Sequence, residues 1–124
     1  IHLDTHVVVW LFTGDPDLFS PQVRWDLEES ELLISPVVRL ELQYLREIDR
    51  ISVGAREVTE NLQRTIGLQI SDTPFDQVIS EALLNTWTRD PFDRIITAQA
   101  NLGEHRLLTK DQKIRDHYER AYWA

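Results

Sequence analysis

The chain has 124 residues, of which 42% are hydrophobic and 27% charged, a length and composition expected of one globular domain over residues 1–124. No apolar run approaches the ~18 residues of a membrane-spanning helix and no signal-peptide pattern is present, so we expect no membrane contact and a cytoplasmic location. The absence of cysteine excludes disulfide frameworks, thiolate zinc sites and cysteine nucleophiles. Methionine is also absent, so we expect the natural chain to begin before Ile1.

The charge balance is acidic, with 13 basic and 21 acidic residues and a net charge of −8. That balance disfavours a protein that coats duplex nucleic acid, which needs a broad field of Lys and Arg. It permits an enzyme that holds phosphate through a metal ion, and it suits a basic protein partner. The positions of the acids therefore matter more than their number.

Short apolar runs alternate with segments of helical period, a pattern typical of a parallel sheet covered by helices. In chain order, the predicted strands are Ile1–Leu3, Leu32–Ile34, Leu68–Ile70, Arg106–Leu108 and, as a fifth, Ala121–Trp123. The predicted helices run from Pro21 to about Glu29, from Pro36 to about Ile48, through Val58 and Ile66 to Gly67, from Thr73-Pro74 onward, from Pro91 to Gly103, and over Gln112–His117. In the Thr73-Pro74 helix, Asp76 is the expected capping acid, and Val78, Ile79, Ala82 and Leu83 form the expected buried stripe.

The segment Val7–Leu11 has two interpretations. Its run of valines is β-rich by propensity and extends the first strand. Alternatively, Asp4-Thr5 is a cap and a helix continues through Phe12. Propensity alone favours the strand.

Four aspartates stand where a parallel sheet places its ligands, beyond the carboxyl ends of its strands. Asp4 directly follows the first strand, and Asp111 lies three residues after Leu108. Asp90 and Asp93 flank the start of a predicted helix, whose free N–H groups favour ionised carboxylates. Each aspartate also has a purely structural interpretation as a helix cap, with Asp93 as the reciprocal capping partner of Asp90.

Glu41 stands out because it falls within an apolar stripe. Val37, Tyr44, Leu45 and Ile48 define that stripe at helical spacing. A carboxylate buried there must be paired, protonated or bound to a cation. The alternative is an edge position from which the carboxylate reaches water.

Several carboxylates in one place repel one another unless a cation joins them. With oxygen ligands only, the expected cation is Mg²⁺, with Mn²⁺ as a substitute, and such an ion can activate water for attack on a phosphodiester. No Ser–His–Asp arrangement is present. The four histidines lack metal-ligand spacing and are expected to be packing or surface residues: His2, His6, His105 and His117.

Three motifs resemble the PIN domain, and more closely the VapC-type toxins of toxin–antitoxin pairs. They are Leu3-Asp4-Thr5-His6, the stretch from Asp90 to Ala100, and Leu107-Leu108-Thr109-Lys110-Asp111. The resemblance covers essentially the whole chain. It implies a three-layer α/β/α fold with a parallel sheet of four to five short strands, and a helix rather than a strand at Val7–Leu11.

The resemblance further implies a Mg²⁺- or Mn²⁺-dependent endoribonuclease toxin with an RNA substrate, a cognate antitoxin, a homodimeric free form and a larger assembly with the antitoxin. An alternative is a catalytically silent module that docks a basic partner in its acidic pocket. A haloacid-dehalogenase-type phosphatase is disfavoured, because His6 stands where that chemistry needs an acid. The positions that match the family's catalytic metal site are Asp4, Glu41, Asp93 and Asp111, with Asp90 as an additional or water-mediated ligand and Thr5 and Thr109 as supporting hydroxyls.

Two further groups of residues have open roles. One group flanks the acids and is expected to contact RNA phosphates, with surface salt bridges as the alternative: Arg39, Arg89, Arg94 and Lys110. The other consists of aromatic residues in the first half of the chain that serve either an interface or the core: Trp10, Phe12, Phe19, Trp25 and Tyr44.

Overall fold

The computed structural model describes residues 1–124 and contains one sheet of five parallel strands, which confirms the predicted α/β class. The strands are β1 (His2–Leu3), β2 (Leu33–Ile34), β3 (Gln69–Ile70), β4 (Leu107–Leu108) and β5 (Ala121–Tyr122). Their order is β3-β2-β1-β4-β5. The chain moves outward from β1 to β3 and then returns to β4 beside β1. The junction of β1 and β4 is thus the switch point at which open parallel sheets bind ligands.

Seven helices connect and cover the strands: α1 (Thr5–Thr13), α2 (Pro21–Glu29), α3 (Pro36–Glu47), α4 (Ala55–Ile66), α5 (Phe75–Ala82), α6 (Pro91–Leu102) and α7 (Gln112–His117). A short 3₁₀ turn, Pro16–Leu18, precedes α2. Right-handed crossovers place the helices that follow β1 and β2 on one face and those that follow β3 and β4 on the other, giving three layers. None of these helices combines the length and apolarity needed to cross a membrane.

Each predicted strand is one residue longer than the strand in the structure. Ile1, Leu32 and Leu68 are buried yet lie outside the ladders. Their side chains fill the core as the chain enters the sheet. An apolar run in the sequence therefore overestimates the length of the strand. The last predicted strand loses Trp123 for a related reason, because that ring packs edge-on against Trp10.

The helical interpretation of Val7–Leu11 is confirmed. Helix α1 begins after Asp4 and ends at Gly14, whose φ of 76° is the left-handed conformation that favours glycine. Val7 and Val8 are fully buried. Burial of this face therefore outweighs the β propensity of the valines.

The predicted start of α5 is wrong. Pro74 occupies the cap position and makes no side-chain cap bond, so neither Thr73 nor Asp76 forms the expected capping box. Pro74 itself has an extended backbone, with a ψ of 129°, so the helix begins at Phe75. Leu83, expected in the buried stripe, is 65% exposed because α5 ends one residue before it.

The buried face of α3 also differs from the predicted one. Its core residues are Val38 and Leu42, whereas Tyr44 and Ile48 are 48% and 43% exposed. Tyr44 packs against Phe92 of α6, with ring centroids 5.9 Å apart, rather than into the core. The stripe therefore borders a neighbouring helix and solvent. Two predicted helix ends, Ile48 and Gly103, are cap residues that follow α3 and α6.

Two leucines of α3 provide a matched test of this face. Leu42 is fully buried, whereas Leu40 is 62% exposed. We expect Leu42→Ala to lower the free energy of unfolding by about 2–5 kcal/mol, because it leaves a cavity, and Leu40→Ala to lower it by less than about 1 kcal/mol. Urea unfolding of both variants measures the difference, and equal losses would mean that the buried face is assigned wrongly.

Candidate functional site

The five predicted acids line one open cleft of about 550 Å³ at the carboxyl edge of the sheet. We call this space the acidic cleft. The central strand delivers one acid, the loop after β4 another, and α3 and the start of α6 supply the rest. The five are Asp4, Glu41, Asp90, Asp93 and Asp111.

Asp4 is fixed through both carboxylate oxygens. Its Oδ1 accepts a hydrogen bond from the backbone N–H of Thr5 at 2.8 Å, which caps α1. Its Oδ2 accepts one from the Thr109 hydroxyl at 2.6 Å. Both Asp4 and Thr109 are buried. The hydroxyl after β4 thus orients the acid after β1, across the switch point.

Asp90 and Asp111 are also helix caps, but each uses only one oxygen for this purpose. Oδ1 of Asp90 accepts from the N–H groups of Phe92 and Asp93 at 2.8 and 3.3 Å. Oδ1 of Asp111 accepts from the N–H of Ile114 at 3.1 Å. The second oxygen of each carboxylate takes no part in the cap. Capping and ligand binding are therefore compatible roles for one side chain.

Glu41 is half-buried and receives a hydrogen bond from the Thr5 hydroxyl. Burial raises the pKa of Glu41, the Thr5 hydrogen bond opposes that effect, and the charges of Asp4 and Asp90 raise the pKa further. The hydroxyl of Thr5 therefore serves Glu41, while its backbone N–H serves Asp4. One residue fixes two acids of the cleft.

Asp93 is the acid of the cleft whose negative charge is least stabilised by neighbouring groups. Burial raises its pKa to about 8, and the charges of the other four acids contribute in the same direction. The expected reciprocal cap is absent, because the N–H of Asp90 donates to the Thr88 hydroxyl at 3.2 Å. The Asp93 carboxyl is thus protonated at neutral pH when no cation is bound.

His6 packs against the ring of Trp10 and also belongs to the lining of the cleft, a position that the sequence does not predict. Its Nε2 accepts the backbone N–H of Lys110 at 2.9 Å, which assigns the ring proton to Nδ1, 3.5 Å from Asp4 Oδ2. Burial lowers the pKa of His6 more than the charges of Asp4 and Asp111 raise it, so the ring is neutral. The available sequence signal was its position two residues after Asp4. The other three histidines lie outside the cleft lining.

Two more residues of the cleft carry no signal in the sequence. Trp10 packs its ring edge-on against His6, with centroids 5.0 Å apart, and Lys110 Nζ lies 5.8 Å from the centre of the Trp10 ring. Arg50, from the loop after α3, is the one basic residue in the lining. Trp10 lies on the helix that follows Asp4, and Arg50 lies in the loop after the helix that carries Glu41, but no periodic pattern marks either as part of the site.

The four basic residues predicted to contact RNA lie outside the cleft lining. The Arg94 guanidinium donates to the carbonyls of Ala82 and Leu83, both at 3.2 Å, and ties α6 to the end of α5. Arg89 donates to the carbonyl of Thr86 at 2.9 Å. Arg39 is exposed on α3. Their contacts with RNA, and that of Lys110, remain predictions.

The donor chemistry of the cleft fits a hard divalent cation, since the acids supply oxygen ligands only. No three of the His, Asp and Glu side chains converge closely enough to form a finished metal cage. Mg²⁺ does not need one, because it binds through one or two carboxylates and keeps several waters. The raised pKa of Asp93 is a second indication, since a bound cation offsets the burial and the acidic charges that raise it.

The proton on Asp93 gives the metal-free protein a pH-dependent stability. Between its ordinary pKa of 3.8 and about 8, the folded state keeps a proton that the unfolded state has lost. Stability therefore falls as pH rises through that range and levels off above it. At pH 8 we expect Asp93→Asn to unfold at a higher temperature than the wild type. The expected gain in the free energy of unfolding is on the order of 1–2 kcal/mol after allowance for solvent screening. Thermal unfolding in EDTA at pH 5 and pH 8 tests this, and a variant no more stable at pH 8 than the wild type refutes it.

Comparison with known proteins places these observations in a family. The family model described as the PIN domain matches residues 1–120. Ribonuclease VapC22 of Mycobacterium tuberculosis is 31% identical over 122 residues, which cover 93% of this chain and 89% of that protein.

Two solved structures share the fold. A toxin–antitoxin complex from Klebsiella pneumoniae has a TM-score of 0.69 at 16% identity, over 98% of this chain and 94% of that one. VapBC2 from Rickettsia felis, bound to a DNA fragment from its promoter, has a TM-score of 0.67 at 17% identity, over 99% and 98%. With an acidic cleft at the switch point of a five-stranded parallel sheet and a match along nearly its whole length, the chain belongs to the PIN domain family.

Proposed function

We propose that this chain is a metal-dependent endoribonuclease that hydrolyses RNA phosphodiester bonds, acting as a single domain and as the toxin of a toxin–antitoxin pair. The observation that carries the proposal is the set of five acids around one cleft, with Asp93 left without a compensating group. The similarity to a VapC ribonuclease and to toxin–antitoxin complexes supports the same activity and biological role.

In this proposal, Mg²⁺, or Mn²⁺ in its place, binds among the acids of the cleft and supplies the positive charge that activates water and neutralises the phosphate. Asp4, Glu41, Asp93 and Asp111 would hold the ion. Asp90 would assist as an additional or water-mediated ligand.

The other residues of the cleft hold these acids in place. The Thr109 hydroxyl orients Asp4, and the Thr5 hydroxyl orients Glu41. His6 keeps its Nδ1 proton directed at Asp4, because the Lys110 N–H occupies Nε2. Asp93 would give up its proton to serve as a ligand, and a cation held by these acids would offset their mutual repulsion.

The proposed partners are an RNA substrate, a cognate antitoxin protein and a second copy of the chain in a homodimer, and the proposed location is the cytoplasm. A basic side chain of an antitoxin fits the acidic cleft by charge, in competition with the metal ion. A catalytically silent module would use the same cleft only for such docking. RNA cleavage distinguishes the two functions.

Cleavage by purified protein, incubated with total RNA with and without Mg²⁺ or Mn²⁺, tests the proposed function. We expect cleavage only with metal. Asp4→Asn and Asp93→Asn should each lower the rate by more than about 100-fold, because the loss of a metal ligand exceeds the usual cost of losing an outer-shell partner. Circular dichroism checks that each variant folds.

The matched control is Asp72→Asn, which removes the same charge from an exposed residue outside the cleft. It should cleave at the wild-type rate. Wild-type rates in Asp4→Asn or Asp93→Asn at saturating Mg²⁺ would refute the metal assignment. A folded wild type that binds basic peptides but cleaves no RNA with either metal favours the docking module.

Asp90→Ser separates the two roles of Asp90. Serine caps helices nearly as well as aspartate, so α6 should remain as stable as in the wild type. The lost carboxylate should weaken metal binding, which we expect to appear as a higher Mg²⁺ concentration for half-maximal cleavage with much of the maximal rate retained. An unchanged Mg²⁺ dependence means that Asp90 is only a cap.

A further inference from the structure

A second cavity, of about 580 Å³, adjoins the acidic cleft. We call it the side cavity. It lies between α1 and the segment that joins α3 to α4. The acidic cleft and the side cavity share three lining residues, Val9, Arg50 and Ile51. The two spaces therefore lie next to each other along this wall, and one extended molecule can occupy both.

Arg50 is the basic group at that junction. It is exposed and belongs to none of the ion pairs of the structure, whereas nearby Arg46 pairs with Asp49 at 3.7 Å. The Arg50 guanidinium is consequently free to bind an anion beside the acids.

The side cavity has the mixed lining that a nucleobase requires. Phe12 and Val53 supply apolar surface, Thr13 and Ser52 supply hydroxyls, and the ion pair of Arg46 and Asp49 also lines the cavity. Bases of single-stranded nucleic acid pack their faces on aromatic and apolar side chains and direct their polar edges to hydrogen-bonding groups. A base held there must be unpaired and unstacked, which requires a single-stranded segment.

We propose that Arg50 binds the phosphate next to the scissile one and that the side cavity receives the base of the nucleotide attached to it. This inference rests on the proposed ribonuclease function. It commits to RNA rather than a protein segment because the free cation stands between the acids and the cavity. A phosphate bound there would neighbour one held in the acidic cleft, as successive phosphates of one RNA strand do, and Arg50 supplies the positive charge that the acids of the cleft lack.

The first test measures the kinetics of Arg50→Ala on a synthetic single-stranded oligoribonucleotide taken from a cleavage site mapped on total RNA. Loss of one charge-assisted phosphate contact should raise KM about 10-fold and leave kcat nearly unchanged, because the contact is remote from the scissile bond. Arg50→Lys should recover part of the loss, since it keeps the charge but not the two-pronged geometry.

The matched control is Arg64→Ala on α4, which removes the same charge from an exposed arginine that lines neither space. It should leave KM unchanged. A loss in Arg64→Ala equal to that in Arg50→Ala means that net charge alone acts on RNA, and it overturns the proposal.

The second test combines the variant with a shortened substrate. If Arg50 and the side cavity bind one nucleotide, removing that nucleotide from one end of the oligonucleotide should raise KM by itself and make Arg50→Ala no worse. Ser52→Trp, which fills the cavity from an exposed position, should act in the same non-additive way. If the loss from Arg50→Ala adds to the loss from truncation whichever end of the oligonucleotide is shortened, the proposal is overturned.

Binding of an uncleavable 2′-O-methyl oligoribonucleotide, followed by fluorescence anisotropy, gives a measurement independent of catalysis. Arg50→Ala should weaken binding about 10-fold and reduce the slope of log affinity against log salt by roughly 0.7, the value for one phosphate contact in a single strand. Unchanged affinity and slope overturn the inference. It is also overturned if Arg50→Ala weakens the binding of a partner protein while it binds RNA as tightly as the wild type.

The role of Arg50 and the proposed ribonuclease function can be disproved separately. If the wild type cleaves RNA and Arg50→Ala cleaves it with unaltered KM, the inference is wrong and the proposed function stands. If the wild type cleaves no RNA with either metal, the proposed function is wrong. The inference is then wrong as well, unless Arg50→Ala binds the 2′-O-methyl oligoribonucleotide more weakly than the wild type does.

Discussion

The cost of gathering five carboxylates in one partly buried cleft is the constraint on which the site depends. The sheet order puts β1 beside β4, so the acids that follow these strands meet, and α3 and α6 bring the others to the same edge. Helix capping offsets part of the cost, because Asp4, Asp90 and Asp111 each accept backbone N–H groups at a helix start. Asp93 has no such partner, and burial, reinforced by the charges of the other four acids, raises its pKa to about 8.

The capping bonds also explain how an unfavourable site is held rigid. Each cap contributes about 1 kcal/mol to the helix it begins, so the interactions that stabilise α1, α6 and α7 also fix the direction of three carboxylates. The Thr109 and Thr5 hydroxyls complete the arrangement for Asp4 and Glu41. Only the net repulsion is left to be relieved by a cation. Stability given up at a functional site in this way is common in enzymes.

The structural features that depend on neighbouring residues are predicted best from the sequence, and those that depend on contacts between distant residues are predicted worst. The caps at Asp4, Asp90 and Asp111 follow from local patterns, and the helix at Val7–Leu11 followed from family resemblance, against its propensity. The buried face of α3 was mispredicted because the face that meets the core depends on where α6 packs. His6 was missed because its partner, the Lys110 N–H, is brought to it only by the pairing of β1 with β4. Arg50 was missed because a loop position shows no period.

The most direct test of the central claim is the number of protons released when Mg²⁺ binds. Calorimetric titration at pH 7 in two buffers of different ionisation enthalpy gives that number. The account predicts release of close to one proton per bound ion, because Asp93 is protonated in the metal-free protein, with a smaller release at pH 9 and almost none in Asp93→Asn. Binding without proton release at pH 7, or equal release from Asp93→Asn, would contradict it.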